Sequence, residues 1–217
     1  MSLPIIMHVN YCEQGQSFPE MCERAVRWGY DGIEFRGARR GGEVSPAASE
    51  AYIEEIATAA ERAGLRHVLF GGTGMNLCAD DAAERRKWVD WGLHFYRAAA
   101  ERINLTVCNV SMGSIPRCDP DAPGWDYHAS GSGAATEDHY AWVAEGYGEL
   151  GAVAEEHNFK MGFETHMGCL SDLPEPTVKL LEMIDSPVVG ANLDYGNMVY
   201  FSKAPSLEEA VTALAGR

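Results

Sequence analysis

The chain alternates six times between a short apolar run of strand type and a longer amphipathic run of helix type. The apolar runs are Leu3 to Val9, Tyr30 to Phe35, Leu65 to Phe70, Leu105 to Val110, Lys160 to Thr165 and Val188 to Asp194. The helical segments between them carry clear start and stop signals. Ser17-Phe18-Pro19-Glu20 is a capping box: the serine accepts from a backbone N–H and the glutamate reaches back. Its helix carries Met21, Ala25 and Trp28 on one face and stops at Gly29. Ser45-Pro46 opens the second helix, with proline at its first position, and Gly64 ends it. Further helices are expected from about Asp81 to Arg102, from Thr136 to about Glu156 and from Glu175 to Ile184. A second capping box, Ser206-Leu207-Glu208-Glu209, opens the last, which reaches Ala215.

Strict strand–helix alternation demands a parallel sheet with right-handed crossovers. An open doubly wound sheet and a closed barrel both satisfy that demand. The first strand-to-helix turn, Asn10 to Phe18, lacks the GxGxxG of a dinucleotide fold. Polar residues gather instead where strands end, at His8, Glu34, Asn109, Glu164 and Asp194. Chemistry spread over many strand ends is the habit of a (β/α)8 TIM barrel, so this α/β fold is expected, as a single domain over residues 1–217. Only about six of the eight β/α units are present. A barrel short of two strands exposes two parallel edges, so the remaining units are expected beyond Arg217 or from a covering chain.

At 217 residues the chain can bury one sizeable core. Its 17 basic and 32 acidic residues give a formal charge of -15, which speaks against a phosphate-backbone groove and hence a nucleic-acid partner. A local basic patch at Arg36, Arg39 and Arg40 stays open. The six cysteines show no CxxC spacing and are expected as free thiols in a reducing cytoplasm. No basic start followed by a long apolar run marks a signal peptide. No apolar stretch approaches the roughly 20 residues that span a bilayer. A soluble cytoplasmic protein without a membrane partner is expected, with a homo-oligomer left open.

Glu164 follows the buried-type Met161 and Phe163, so it is either a salt-bridged structural group or a ligand at the barrel mouth. His166 lies two residues on, and strand alternation points it the same way. Asp194 ends the next strand, either as a cap for the following segment or as a second carboxylate beside Glu164. Two converging carboxylates repel unless a cation or proton sits between them, and a divalent ion (Mn, Mg, Co or Zn) is the economical solution. Asn197 reads as a turn residue or a site residue. Glu34 and Arg36 form an internal pair or contact substrate, and His8 is a core histidine or a substrate contact. His67 sits at a strand start, on the stability face. The long loop from Ser111 to Ala135 is expected to form a partial lid, with Trp125 as a wall against substrate and Gly131-Ser132-Gly133-Ala134 as a flexible connector.

Three segments carry a family resemblance: Gly29-Tyr30-Asp31-Gly32-Ile33-Glu34-Phe35, Gly162-Phe163-Glu164-Thr165-His166-Met167-Gly168 and Val189-Gly190-Ala191-Asn192-Leu193-Asp194-Tyr195-Gly196-Asn197. They resemble the xylose isomerase-like TIM-barrel superfamily, and within it the sugar phosphate isomerase/epimerase group. That group often ends its fifth strand in Glu-Asn-His-Gly-Gly and its sixth in Asp-x-Gly-Asn or Asp-x-Gly-His. The resemblance implies that Glu164 and Asp194 are metal ligands, joined by a histidine and a glutamate from two further strands that this chain does not contain. It implies that His166 contacts substrate or metal-bound water. Thr165 and Met167 depart from the group's frequent Asn and Gly, and Asn197 stands where many members have histidine.

The expected activity is a divalent-metal-dependent isomerase or epimerase of a sugar or sugar phosphate, working through an enediolate. Glu164 serves as ligand and proton-transfer group, with its counterpart expected beyond Arg217. The alternatives are a dehydratase of a keto-inositol or dehydroshikimate-type substrate and a catalytically degenerate barrel serving as a binding or interaction protein; the expected small-molecule partner is a sugar or polyol. An abasic-site endonuclease, known elsewhere in the superfamily, is disfavoured by the -15 charge.

Overall fold

The structure, a computed structural model, describes residues 3–8, 15–39, 41–42, 44–71 and 75–217. Asn10, Tyr11, Cys12, Arg40 and Gly72 lie outside the described residues. Six strands run in parallel and pair in chain order: β1 (Ile6–His8), β2 (Gly32–Arg36), β3 (His67–Gly71), β4 (Val107–Val110), β5 (Lys160–Glu164) and β6 (Val189–Asn192). Among the described residues β1 and β6 have one strand neighbour each. Between the strands run α1 (Phe18–Arg27), α2 (Pro46–Ala63), α3 (Ala82–Arg102), α4 (Glu137–Glu156) and α5 (Pro174–Ile184). After β6 come a single turn, α6 (Tyr195–Met198), and α7 (Leu207–Leu214). The result is the α/β TIM-barrel fold in six of its β/α units.

Strand alternation sorts the side chains. In β2, Ile33 and Phe35 are fully buried against the helices, while Glu34 and Arg36 on the other face are half-buried. In β5, Met161 and Phe163 take the helix side and Glu164 the inner side. The helix side forms one continuous core: Ile53 and Ile56 of α2, Phe95 and Tyr96 of α3, and Tyr147 and Leu150 of α4 pack on these strand residues. The Phe70–Phe95 and Tyr147–Phe163 rings meet edge to face at 5.1 and 4.5 Å. Apolar burial drives this layer together and fixes which face of each strand is left for chemistry.

Local signals behave as read. The Glu20 carboxylate accepts from the Ser17 N–H at 2.8 Å, and Glu209 accepts from the Ser206 N–H at 2.8 Å. Gly64 ends α2 in the left-handed conformation. Three readings are corrected. Trp28 does not share the buried face of α1: it caps the helix end, 59% exposed, beneath the Arg24 guanidinium. Arg39 forms no basic patch, because it pairs with Glu55 and lies over the Phe18 ring. The sixth strand stops at Asn192, since the Asp194 carboxylate accepts from the Gly196 N–H at 2.8 Å and turns the chain into α6.

Candidate active site

A chain of polar side chains crosses the C-terminal mouths of the strands. His8 of β1 lies 3.8 Å from the Glu34 carboxylate of β2. The Asn109 amide nitrogen, on β4, is 3.5 Å from Glu34 Oε1 and donates to Glu164 Oε2 at 2.7 Å. On the far side the Asn197 amide donates to Glu164 Oε1 at 3.0 Å and lies 3.1 Å from Asp194 Oδ2. Five of the strands thus reach this chain through a side chain at or just after their ends. The sixth, β3, supplies an absence. A Cβ at Gly71 would stand 1.8 Å from Glu34 Oε1, so only glycine leaves the glutamate its place.

Strand register explains the convergence. His8 is level with Glu34, Asn109 with Gly162, and Glu164 with Asn192. Two hydroxyls then hold the β5 end rigid. Thr165, fully buried, exchanges hydrogen bonds with the backbone of Asp194 at 2.8 and 3.1 Å, and Ser171 donates to the Glu164 carbonyl at 2.8 Å. Neither residue stands out in the sequence, where Thr165 looks like a simple replacement.

Glu34, Arg36, Asn109, Glu164, His166 and His8 all line one cavity of about 570 Å³. Its remaining wall includes Ser111 to Ser114 of the β4–α4 loop and Met167 and Cys169 of the β5–α5 loop. Asp194 and Asn197 stand behind Glu164 rather than on the wall. Trp125 is 64% exposed and does not line the cavity; in this structure it is no wall against substrate. His166 is exposed, and its Nδ1 donates to the Met167 carbonyl at 2.9 Å, because a carbonyl can only accept. That leaves Nε2 as an acceptor in the neutral ring.

The expected flexible connector is also corrected. Gly131 to Ala134 forms a tight 3-10 turn, with Gly131 buried at φ 56°. Ser132 N–H donates to the Asp172 carboxylate at 3.0 Å, and a Cβ on Gly131 would sit 2.3 Å from that oxygen. The loop is fastened again where Ile115 N–H meets the Gly168 carbonyl at 2.8 Å and where Ser202 donates to Asp126 at 2.8 Å.

Burial lifts Glu34 above the usual carboxylate range; the His8 charge and Asn109 hydrogen bond oppose that shift, and the Glu164 charge adds to it. Burial likewise pushes Asp172 up to about 6, against the pull of the Ser132 hydrogen bonds. Cys169 is pushed up to about 12 by burial, aided by the charges of Asp172 and Glu164. Cys78 and Cys108 reach about 12 as well, chiefly by burial. These thiols therefore stay protonated at neutral pH and are poor nucleophiles.

Glu164 and Asp194 are the residues here that could hold a metal. They bring two carboxylates onto one amide nitrogen, and no thiolate stands near. Among the described residues no cluster of three or more His, Cys, Asp or Glu groups forms. A two-carboxylate set suits a hard cation such as magnesium, which binds through one or two carboxylates and keeps several waters. In donor type the pair fits.

Comparison with known proteins agrees with the architecture. An inosose dehydratase of Clostridium perfringens is 34% identical over 64 residues, which is 30% of this chain and 22% of that protein. A D-psicose 3-epimerase solved in the presence of D-fructose superposes with a TM-score of 0.74 at 17% identity, covering 99% of this chain and 70% of its own. A xylose isomerase-like TIM barrel protein from Mycobacterium smegmatis, in complex with magnesium, superposes at 0.72 and 18% identity, covering 98% of this chain and 72% of its own. The family model described as "Xylose isomerase-like TIM barrel" matches residues 22–216. A match over nearly the whole chain, on a parallel sheet with carboxylates at its strand mouths, means that the chain belongs to the xylose isomerase-like TIM barrel family.

Proposed function

We propose that the cavity is the active site of a divalent-metal-dependent isomerase or epimerase of sugars, with Glu164 and Asp194 as metal ligands. The observation that carries this reading is the convergence of the two carboxylates on the single Asn197 amide nitrogen. A bound ion supplies Lewis-acid polarisation of the substrate's adjacent hydroxyl and carbonyl oxygens. Magnesium in the Mycobacterium smegmatis neighbour and D-fructose with the epimerase support the choice of ion and substrate class.

Glu164 takes the proton from the carbon beside the carbonyl. The Asn109 amide orients that carboxylate, and Asn197 ties it to Asp194. His166, its Nδ1 tied to the Met167 carbonyl, turns its Nε2 toward a substrate hydroxyl. Arg36 and His8 line the same wall. Arg36 is the one lysine or arginine among the described lining residues, against two carboxylates, which favours an uncharged sugar or polyol over a phosphate ester. Five described cysteines are free thiols, as suits an enzyme of the cytoplasm.

A dehydratase of a keto-inositol is the second reading, favoured by the local match to inosose dehydratase. It needs the same first proton transfer. Metal analysis of the purified protein, with D-fructose, D-psicose and an inosose assayed for isomerised against dehydrated product, separates the two. Glu164→Gln is expected to keep the fold and lose roughly 100-fold or more of metal-dependent turnover. Unchanged metal content and activity in that variant would sink the proposal.

A further inference from the structure

We propose that Thr165 is a positioning residue for the two proposed metal ligands: its hydroxyl fixes the backbone of Asp194 against the end of β5 and so sets how tightly the chain holds a divalent ion. The inference rests on the reading of Glu164 and Asp194 as ligands given above.

The ladder between β5 and β6 runs from Met161 opposite Val189 to Glu164 opposite Asn192. Its last rung is the Thr165 N–H, which donates to the Asn192 carbonyl at 2.9 Å. Beyond Asn192 the chain leaves the sheet, and Asp194 caps α6 with backbone angles of φ -105° and ψ 94°. Strand pairing therefore stops short of Asp194, and the Thr165 hydroxyl takes over. It accepts from the Asp194 N–H at 2.8 Å and donates to the Asp194 carbonyl at 3.1 Å. One side-chain oxygen thus engages both backbone groups of Asp194, because a hydroxyl is donor and acceptor at once. Thr165 is fully buried, so bulk water does not compete for those bonds.

Asn197 cannot replace this anchor. It gathers the two carboxylates, but it stands on the same helical turn that Asp194 begins and moves with it. Where that turn sits relative to Glu164 is decided at its first residue. Among the described residues β6 has one strand neighbour, so Asp194 is held to the sheet from the β5 side. Thr165 follows Glu164 directly in the chain. A hydroxyl one residue past the first ligand, bonded to the main chain of the second, keeps the two carboxylates together before any ion arrives. A pair already in place need not be ordered on binding, and groups behind the ligands raise metal affinity in this way.

Two substitutions separate the hydroxyl from the packing. Thr165→Val keeps the side chain's shape and takes this partner from the Asp194 N–H and carbonyl. Thr165→Ser keeps the hydroxyl and removes a buried methyl. Both variants are expected to melt below the parent, so stability does not distinguish them. Metal affinity does.

The full chain is titrated with manganese, and the EPR signal of the free ion gives the dissociation constant without any turnover. Thr165→Val is expected to weaken binding roughly tenfold or more, and Thr165→Ser to stay within about threefold of the parent. Parent-like affinity in Thr165→Val overturns the assignment. So does an equal loss in Thr165→Ser, since a merely structural role makes affinity follow melting temperature in both variants. Should Thr165→Val fail to fold, Thr165→Ala stands in for it. Thr165→Ala and Thr165→Ser both lack the methyl, and equal affinities in those two overturn the proposal. Asp194→Asn is the control for the reading beneath it. A parent that binds no manganese, or an Asp194→Asn variant that binds it as the parent does, sinks the metal reading itself, a result distinct from failure of Thr165 alone.

Discussion

The Asn197 side-chain amide donates to Glu164 at 3.0 Å, and the same nitrogen lies 3.1 Å from Asp194. One neutral group thus holds together two carboxylates from neighbouring strands. Its hydrogens are shared further with the Thr165 carbonyl at 3.1 Å, so the nitrogen is fully engaged.

Removing that amide should leave the two carboxylates facing each other without a donor between them. Asn197→Leu is expected to lower stability by about 1–3 kcal/mol in metal-free buffer, through repulsion and the loss of the donor shared by three acceptors. Millimolar magnesium or manganese should recover part of the loss, because a cation that binds only the folded state stabilises it by mass action. Melting curves with and without the ion check this. An ion-independent difference would argue against a metal between Glu164 and Asp194.

Gly71 separates folding from chemistry. An added Cβ meets the far end of the Glu34 side chain, at 1.8 Å, and the carboxyl can swing aside. Gly71→Ala is therefore expected to change stability by less than about 1 kcal/mol, yet to lower turnover roughly tenfold or more. Chemical denaturation beside a turnover assay tests the pair of outcomes. A variant with full activity would show that the placement of Glu34 does not matter.

Asp172 is fully buried, and its second oxygen finds no hydrogen-bond partner among the described residues. Its folded-state value of about 6 lies above its ordinary 3.8, so the folded protein holds the proton more tightly than the unfolded chain. Stability from this group is accordingly greatest when it is protonated, and falls as pH rises from about 4 through about 6. Asp172→Asn keeps the acceptor for Ser132 and removes the buried charge. The variant should flatten this part of the profile and gain on the order of 1–3 kcal/mol near pH 8. Urea titrations across that range give the comparison, and a parallel pH profile in both proteins would refute it.

Much of the molecule follows from short-range pattern. Strand alternation in Gly32-Ile33-Glu34-Phe35 and in Met161-Gly162-Phe163-Glu164 tells which residues meet the helices and which meet the cavity, because successive side chains of a strand must point to opposite faces. The capping boxes at Ser17 and Ser206 set helix starts by contacts three residues apart, which any reading of the chain can see. Glu164, His166 and Asp194 are visible for the same reason, as polar residues ending apolar runs. Their grouping as one site needs the register of β4, β5 and β6, and register joins residues such as Asn109 and Gly162 that are far apart in the chain. Tertiary structure alone decided that Gly71 makes room for Glu34, that Gly131 packs on Asp172, and that Trp125 stays outside the cavity. The opening carboxylate pair is thus written in the sequence as two strand ends. What binds them into one centre is the amide of Asn197, brought back over β5 by a single turn of helix that the strand pattern does not encode.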